Sequence, residues 1–192
     1  EQLAELKWES PRSIKFLERI NHPSVPTIYP PMAQYVFRIV HFFQPDSILA
    51  MRLAFLIFDV LALFFIIGIL GKLALNINMS GVYFWCPLII KETFNSTHLD
   101  IIGISFLCGS VYFLVHKRHT LATFFLALGF LGKLYPAILF PLYIQACFQQ
   151  CKKSKENPWQ IPILNTLFFV GIIILGYIPF MGIGLHMFDG LK

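Results

Sequence analysis

This chain should form an all-α, polytopic membrane helix bundle with an external loop and an interfacial helix. Of its 192 residues 57% are hydrophobic and only 13% charged, whereas an ordinary soluble domain carries about a quarter charged residues. Several apolar runs approach the roughly 20 helical residues that cross a bilayer, more than one soluble core could hide. The lysines and arginines behind the formal net charge of +5 stand between those runs and form no stripe. The charge therefore reads as membrane topology and local site chemistry, with no nucleic acid as partner.

Residues 1–45 are expected to be an external loop with an interfacial helix. Ile14, Phe16, Leu17 and Ile20 would share one face of an amphipathic stretch. In INHPSVPTIYPPMAQ, residues 20–34, four prolines make a rigid extended approach. Pro30 and Pro31 can open a helix, because proline at the first helical position gives up no needed hydrogen bond. Met32 to Phe43 then reads as a short amphipathic helix ended by Gln44 and Pro45; it is too short to cross a bilayer and should lie in the interface.

Residues 46–181 carry the membrane segments. Asp46 and Ser47 are good N-caps, and the run after them has no breaker before Lys72, giving a span near 48–73. A shorter apolar helix near 79–93 is interrupted around Pro87 and ends in Lys91 and Glu92. A span near 99–116 closes at Lys117, Arg118 and His119. Residues 120–148 are too long for one simple span, too short for two full ones, and broken by Pro136 and Pro141. They read as a hairpin of two short helices meeting near Lys133 to Pro136, where irregular backbone needs protein or water to cover it. After a basic, polar stretch comes a last span near 161–180, and the glycine-bearing 182–192 reads as the start of a further external loop. The chain starts without a methionine and stops without a natural close, so a fragment cut at both ends is expected.

Basic residues in short loops mark the cytoplasmic side: Lys72, the pair Lys117 and Arg118, and the trio Lys152, Lys153 and Lys155, if the hairpin returns to its starting face. Lys91 and Lys133 then fall on the other side, against the rule. At that outer boundary gather Tyr29, Gln34, Arg52, Lys91, Glu92, His98, Asp100, Lys133 and Tyr135. A charge at a helix centre in the bilayer costs at least about 2.5–3.5 kcal/mol, so a row of ionisable groups at one depth argues for a shared cavity.

Each candidate also has a bland account. Arg52 and Asp59 project from one face of a helix, roughly 10 Å apart along its axis. Asp59 reads as part of a structural network, while Arg52 either pairs structurally or offers its planar fork to phosphate. Glu92, His98 and Asp100, in ETFNSTHLD, suit acid–base chemistry, or Asp100 merely suits the first-turn dipole of the next helix. Their spacing matches no tight ligand motif, so no divalent metal or other cofactor is expected. Lys133 either snorkels to the interface or serves as a point charge for a lipid phosphate. Cys86, Cys108, Cys147 and Cys151 read as small apolar fillers, with palmitoylation or metal binding the weaker alternative at the last two. Asn95, Ser96 and Thr97 form an N-x-T acceptor on the outer side, glycosylated only in a eukaryotic lumen.

RINHPSVPTIYPPMAQ, RLAFLIFDVLALF, CPLIIKETFNSTHLD and LGFLGKLYPAILFPL follow one another between Arg19 and Leu142. Together they resemble the integral membrane glycosyltransferases of family 87, in the C-type superfamily that uses polyprenyl-phosphate sugars. The resemblance implies a hexosyltransferase, often a mannosyltransferase, moving sugar from a polyprenyl-phosphate donor to a glycan or glycolipid acceptor on the non-cytoplasmic face. It implies a multi-pass protein among membrane lipids, in a bacterial plasma membrane with the active face outside. By position, Tyr29, Pro30, Pro31 and Gln34 resemble the external helix motif, Glu92, His98 and Asp100 the acidic and histidine tip, and Lys133 and Pro136 the later Lys-x-x-Pro. Arg52, Lys91, His98 and Lys133 would bind donor phosphate or sugar, with Tyr29, Gln34, Glu92, Asp100 and Tyr135 shaping the site.

The superfamily's catalytic aspartate lies early in the first external loop, and Glu1, Glu5 and Glu9 are not at the matching place. The base is expected upstream of Glu1, and no catalytic residue is assigned. The rival expectation, a fragment of a transporter or lipid flippase, calls for internal repeats around a midplane site. No repeat is visible in the sequence.

Overall fold

The computed structural model describes residues 29–154 and 159–182. The described residues are all-α, with no strand among them. The amphipathic stretch expected around Ile14 to Ile20, the basic residue Lys155 and the final loop expected over 182–192 lie largely outside them.

Helix α1 spans Pro31–Phe43 and begins on a proline, where the missing N–H costs nothing. Its partner α2 spans Ile48–Lys72, capped by the Ser47 hydroxyl, which accepts from the Ala50 amide at 3.2 Å. Between them Asp46 takes a left-handed φ of 55°, which turns the chain from one helix into the other. Nearly all of α2 is apolar, yet only Phe55, Ala62 and Phe65 are buried, so most of its circumference faces away from the protein. A helix apolar all round is at home in a bilayer. Both α2 and the segment Gln160–Gly182 are long and apolar enough to cross one, whereas Asp100–Val115 and His119–Gly132 are shorter apolar helices.

After α2 the backbone changes form repeatedly. A 3₁₀ turn at Ile77–Met79 leads into α3, Ser80–Phe84. Cys86 is extended because a residue before proline avoids the helical region, and α4 restarts at Pro87–Ile89. It widens at once into a π-turn over Ile90–Asn95. Helices α5, Asp100–Val115, and α6, His119–Gly132, form a hairpin whose turn places Lys117 at φ 59°. Lys133 is extended and Tyr135–Leu139 is a 3₁₀ turn around Pro136, before α7, Phe140–Ser154, and α8, Gln160–Tyr177.

The α5–α6 pair forms the centre. Helix α2 lies on α5, while α7 and α8 lie on α6. The short α1 reaches α2, α6 and α8, and Tyr35 ties it down by donating to the Gly176 carbonyl at 3.0 Å. Apolar helices in lipid gain no hydrophobic drive from meeting one another, so close backbone approach through small residues has to supply the packing. That seam is Gly103, Gly129 and Gly132: a Cβ on Gly132 would stand 3.2 Å from the Gly103 nitrogen and 3.3 Å from its Cα.

Deeper in the bundle, Ser110 of α5 is hydrogen-bonded to the Tyr143 hydroxyl of α7, both side chains buried. Cys147 and Cys151 are buried too, as fillers would be, and leave no accessible thiol for an acyl chain. Tyr143→Phe should cost about 0.5–1.5 kcal/mol, the worth of one intramolecular hydrogen bond. Thermal unfolding in detergent measures it, and an unchanged midpoint would show that the Ser110 bond contributes nothing.

Candidate active site at the Lys133 end

Because α5 and α6 run antiparallel, the start of α5 meets the end of α6, and α2 begins at the same end of the bundle. The glycine seam decides what touches there. Gly103 sits one turn after Asp100, and Gly132 one residue before Lys133, so bringing the two glycines into backbone contact brings the two charged side chains together. Lys133 Nζ is ion-paired with Asp100 Oδ1 and also lies 5.9 Å from the centre of the Tyr29 ring. Tyr29 in turn stands edge-on to Phe37 of α1, and its carbonyl accepts from the Gln34 amide at 3.4 Å.

A second pair forms within the 90–99 segment. His98 Nε2 is 3.1 Å from Glu92 Oε2, and the His98 amide donates to the Glu92 carbonyl at 2.9 Å. The π-turn and the left-handed Thr97, φ 59°, fold the segment back far enough for both contacts. Lys91 lies 3.8 Å from Glu92 on the exposed rim, where an ion pair contributes little.

Arg52 secures this segment from the side. Its Nη2 donates to the Asn95 carbonyl at 3.1 Å, its guanidinium carbon sits 5.9 Å from the Phe94 ring centre, and its buried Nε has no hydrogen-bond partner. Tyr135 opens the 3₁₀ turn between α6 and α7.

Tyr83, Glu92, His98 and Asp100 share a cavity of about 340 Å³ walled by apolar residues including Ile101 and Ile104. That is within the range of small-molecule sites. The Tyr83 hydroxyl donates to Asp59 Oδ1 at 2.5 Å. Nothing in the sequence singles out Tyr83, although a tyrosine in an otherwise apolar run, beside a mid-helix aspartate with no partner in its own helix, is the signal that could have found it.

Of the residues singled out by sequence, the structure therefore joins Tyr29, Asp100 and Lys133 in one group, with Glu92 and His98 reaching the same cavity as Asp100. Lys91 stays on the rim and Arg52 holds the loop from outside. Gln34 lines a different cavity, of about 750 Å³, between α1 and the start of α2. No group of three or more histidines, cysteines and acids suited to a metal occurs among the described residues.

A model of Glycosyltransferase family 87 matches residues 27–155, the stretch that carries every residue of this site. No curated protein and no solved structure matches the chain.

Proposed function

The chain belongs to glycosyltransferase family 87, and from that premise we propose a multi-pass membrane hexosyltransferase, first of all a mannosyltransferase, that draws its sugar from a polyprenyl-phosphate carrier. The acceptor is a glycan or glycolipid on the non-cytoplasmic face, in the plasma membrane of a bacterium. The observation that carries this is the meeting of Asp100, Glu92 and His98 at one cavity, with Lys133 ion-paired to Asp100, at the end of apolar helices. A lipid-linked donor has the matching form, with a long apolar chain beside exposed Ile57, Val60 and Phe64 of α2 and a charged head at the boundary.

In the transfer, an acceptor hydroxyl attacks the anomeric carbon, the bond to the carrier phosphate breaks, and the hydroxyl proton passes to a carboxylate. Charge builds on the departing phosphate, and a fixed cation beside it lowers the barrier. Lys133 suits that role because its ammonium has three donors and Asp100 occupies one. Asp100 holds the Lys133 ammonium, and Glu92 steadies the His98 ring by its Nε2, so these side chains set a few polar groups suited to sugar hydroxyls into an otherwise apolar cavity. A sugar already activated as its polyprenyl phosphate needs no nucleotide or other cofactor. The test is transfer by membranes carrying the complete protein, supplied with labelled polyprenyl-phosphate mannose or glucose. Transfer from either is expected; a well-folded preparation inactive with both would overturn the proposal.

A further inference from the structure

A second cavity lies apart from the proposed transfer site. It opens between α1 and the first turn of α2, holds about 750 Å³, and has Phe37, Val40 and Met51 as its apolar wall. Arg38 and His41 stand on its rim, three residues apart and so on one face of α1. Both side chains are exposed, and among the described residues neither forms an ion pair or side-chain hydrogen bond.

Depth says what can reach them. Helix α2 is 25 residues of nearly unbroken apolar sequence, so its first turn at Ile48 marks a membrane boundary. With only residues 44–47 between α1 and α2, the C-terminal half of α1 lies at that boundary. There Ile39, Phe42, Phe43, Ile48 and Leu49 are exposed apolar side chains at the same end of the two helices, with Ile48 also lining the cavity, the placement of an interfacial amphipathic helix. Two uncommitted basic side chains near these apolar ones, at headgroup depth, match an amphiphile with a phosphate head.

We propose that the cavity between α1 and α2 binds the headgroup of an anionic phospholipid, its phosphate held by Arg38 and His41 and its acyl chains lying along Phe43, Ile48 and Leu49. The guanidinium fork of Arg38 matches two phosphate oxygens, and His41 adds a donor one turn on. Among the described residues Asp46 is the one carboxylate on the rim; it stands at the turn into α2, beyond the end of α1, and sets a polar limit to the site there. The two cavities have different linings: Thr97 lines one and His98 the other, and Arg52 holds the Asn95 carbonyl just before them. The lipid site does not depend on the transferase proposal, since a bilayer lipid and not a substrate fills it.

The test uses the whole chain in nanodiscs of phosphatidylcholine into which phosphatidylglycerol is titrated, with retained lipid read by native mass spectrometry. Wild type should retain phosphatidylglycerol in preference to phosphatidylcholine. Arg38→Gln should weaken that retention about tenfold, the scale of one charge-assisted hydrogen bond. Met51→Trp, which fills the cavity without altering charge, should weaken it too, while Arg118→Gln at the far end of α5 should not. Thermal melts separate loss of binding from loss of fold, and Arg38→Gln, at an exposed position, keeps the test open if Met51→Trp misfolds. Equal retention of the two lipids, unchanged binding in a folded Arg38→Gln protein, or equal weakening by Arg118→Gln would overturn the site. So would displacement by millimolar inorganic phosphate, which would mean a free-anion site.

Discussion

Lys133→Ala is expected to weaken binding of a polyprenyl phosphate by about ten- to a hundredfold, because a hydrogen bond to a charged group is worth about 1.5–3 kcal/mol. The loss has two parts. The ammonium that would meet the phosphate is gone, and Asp100, its ion-pair partner, is left as a bare carboxylate facing an incoming anion. Both side chains remain partly exposed, at 35% and 50%, so the pair itself adds little to stability and the variant should fold. Binding and folding are thereby separated. Lys133→Arg should recover part of the affinity, and Asp100→Asn combined with Lys133→Ala should bind better than Lys133→Ala alone. Titration with a fluorescent polyprenyl phosphate measures all three, and unchanged binding in Lys133→Ala would remove this residue from the site.

The second large effect is expected at Gly132. Overfilling a packed interior costs about 1–3 kcal/mol when side chains can shift. At Gly132 the neighbours are the nitrogen and Cα of Gly103 and Ile102 Cγ2, at 3.2–3.3 Å, so mostly backbone would have to move. Gly132→Val should therefore lie at the upper end of that range and also part Lys133 from Asp100, abolishing the Lys133-dependent binding. Gly71→Val is the control, since nothing lies within 4 Å of a Cβ there and both changes carry a similar helix-propensity effect. If the two variants melted alike, the seam would not be what holds α5 to α6.

Local signals made much of the fold legible. Proline at the first helical position, serine one residue before an apolar run and the break around Lys133 to Pro136 each act within a few residues, and the helices begin at Pro31 and Ile48 and break at Lys133 accordingly. The all-α class follows from the length and apolarity of the runs. The pairing inside the site was not legible in the same way. Asp100 and Lys133 are 33 positions apart, and what joins them is the approach of two glycines that carry no chemical signal of their own. Nor could periodicity show that the segment after Pro87 would widen into a π-turn, since helical and π backbones bury similar faces over so few residues. Asp59, taken from sequence as a network residue, has the hydroxyl of Tyr83 against it, across a chain reversal that no spacing rule specifies. The cavity between α1 and α2 is invisible in sequence because it is a space between elements and not a property of either.

Thr97 and His98 line different cavities although one peptide bond joins them. They form a common wall, tethered through the Arg52 contact to Asn95 and hinged at the left-handed Thr97. If the cavity between α1 and α2 holds a lipid as proposed, that lipid lies one peptide bond from His98 in the wall of the other cavity. On that proposal the composition of the surrounding bilayer is to be held fixed, as deliberately as temperature or salt, in any rate measured with this protein.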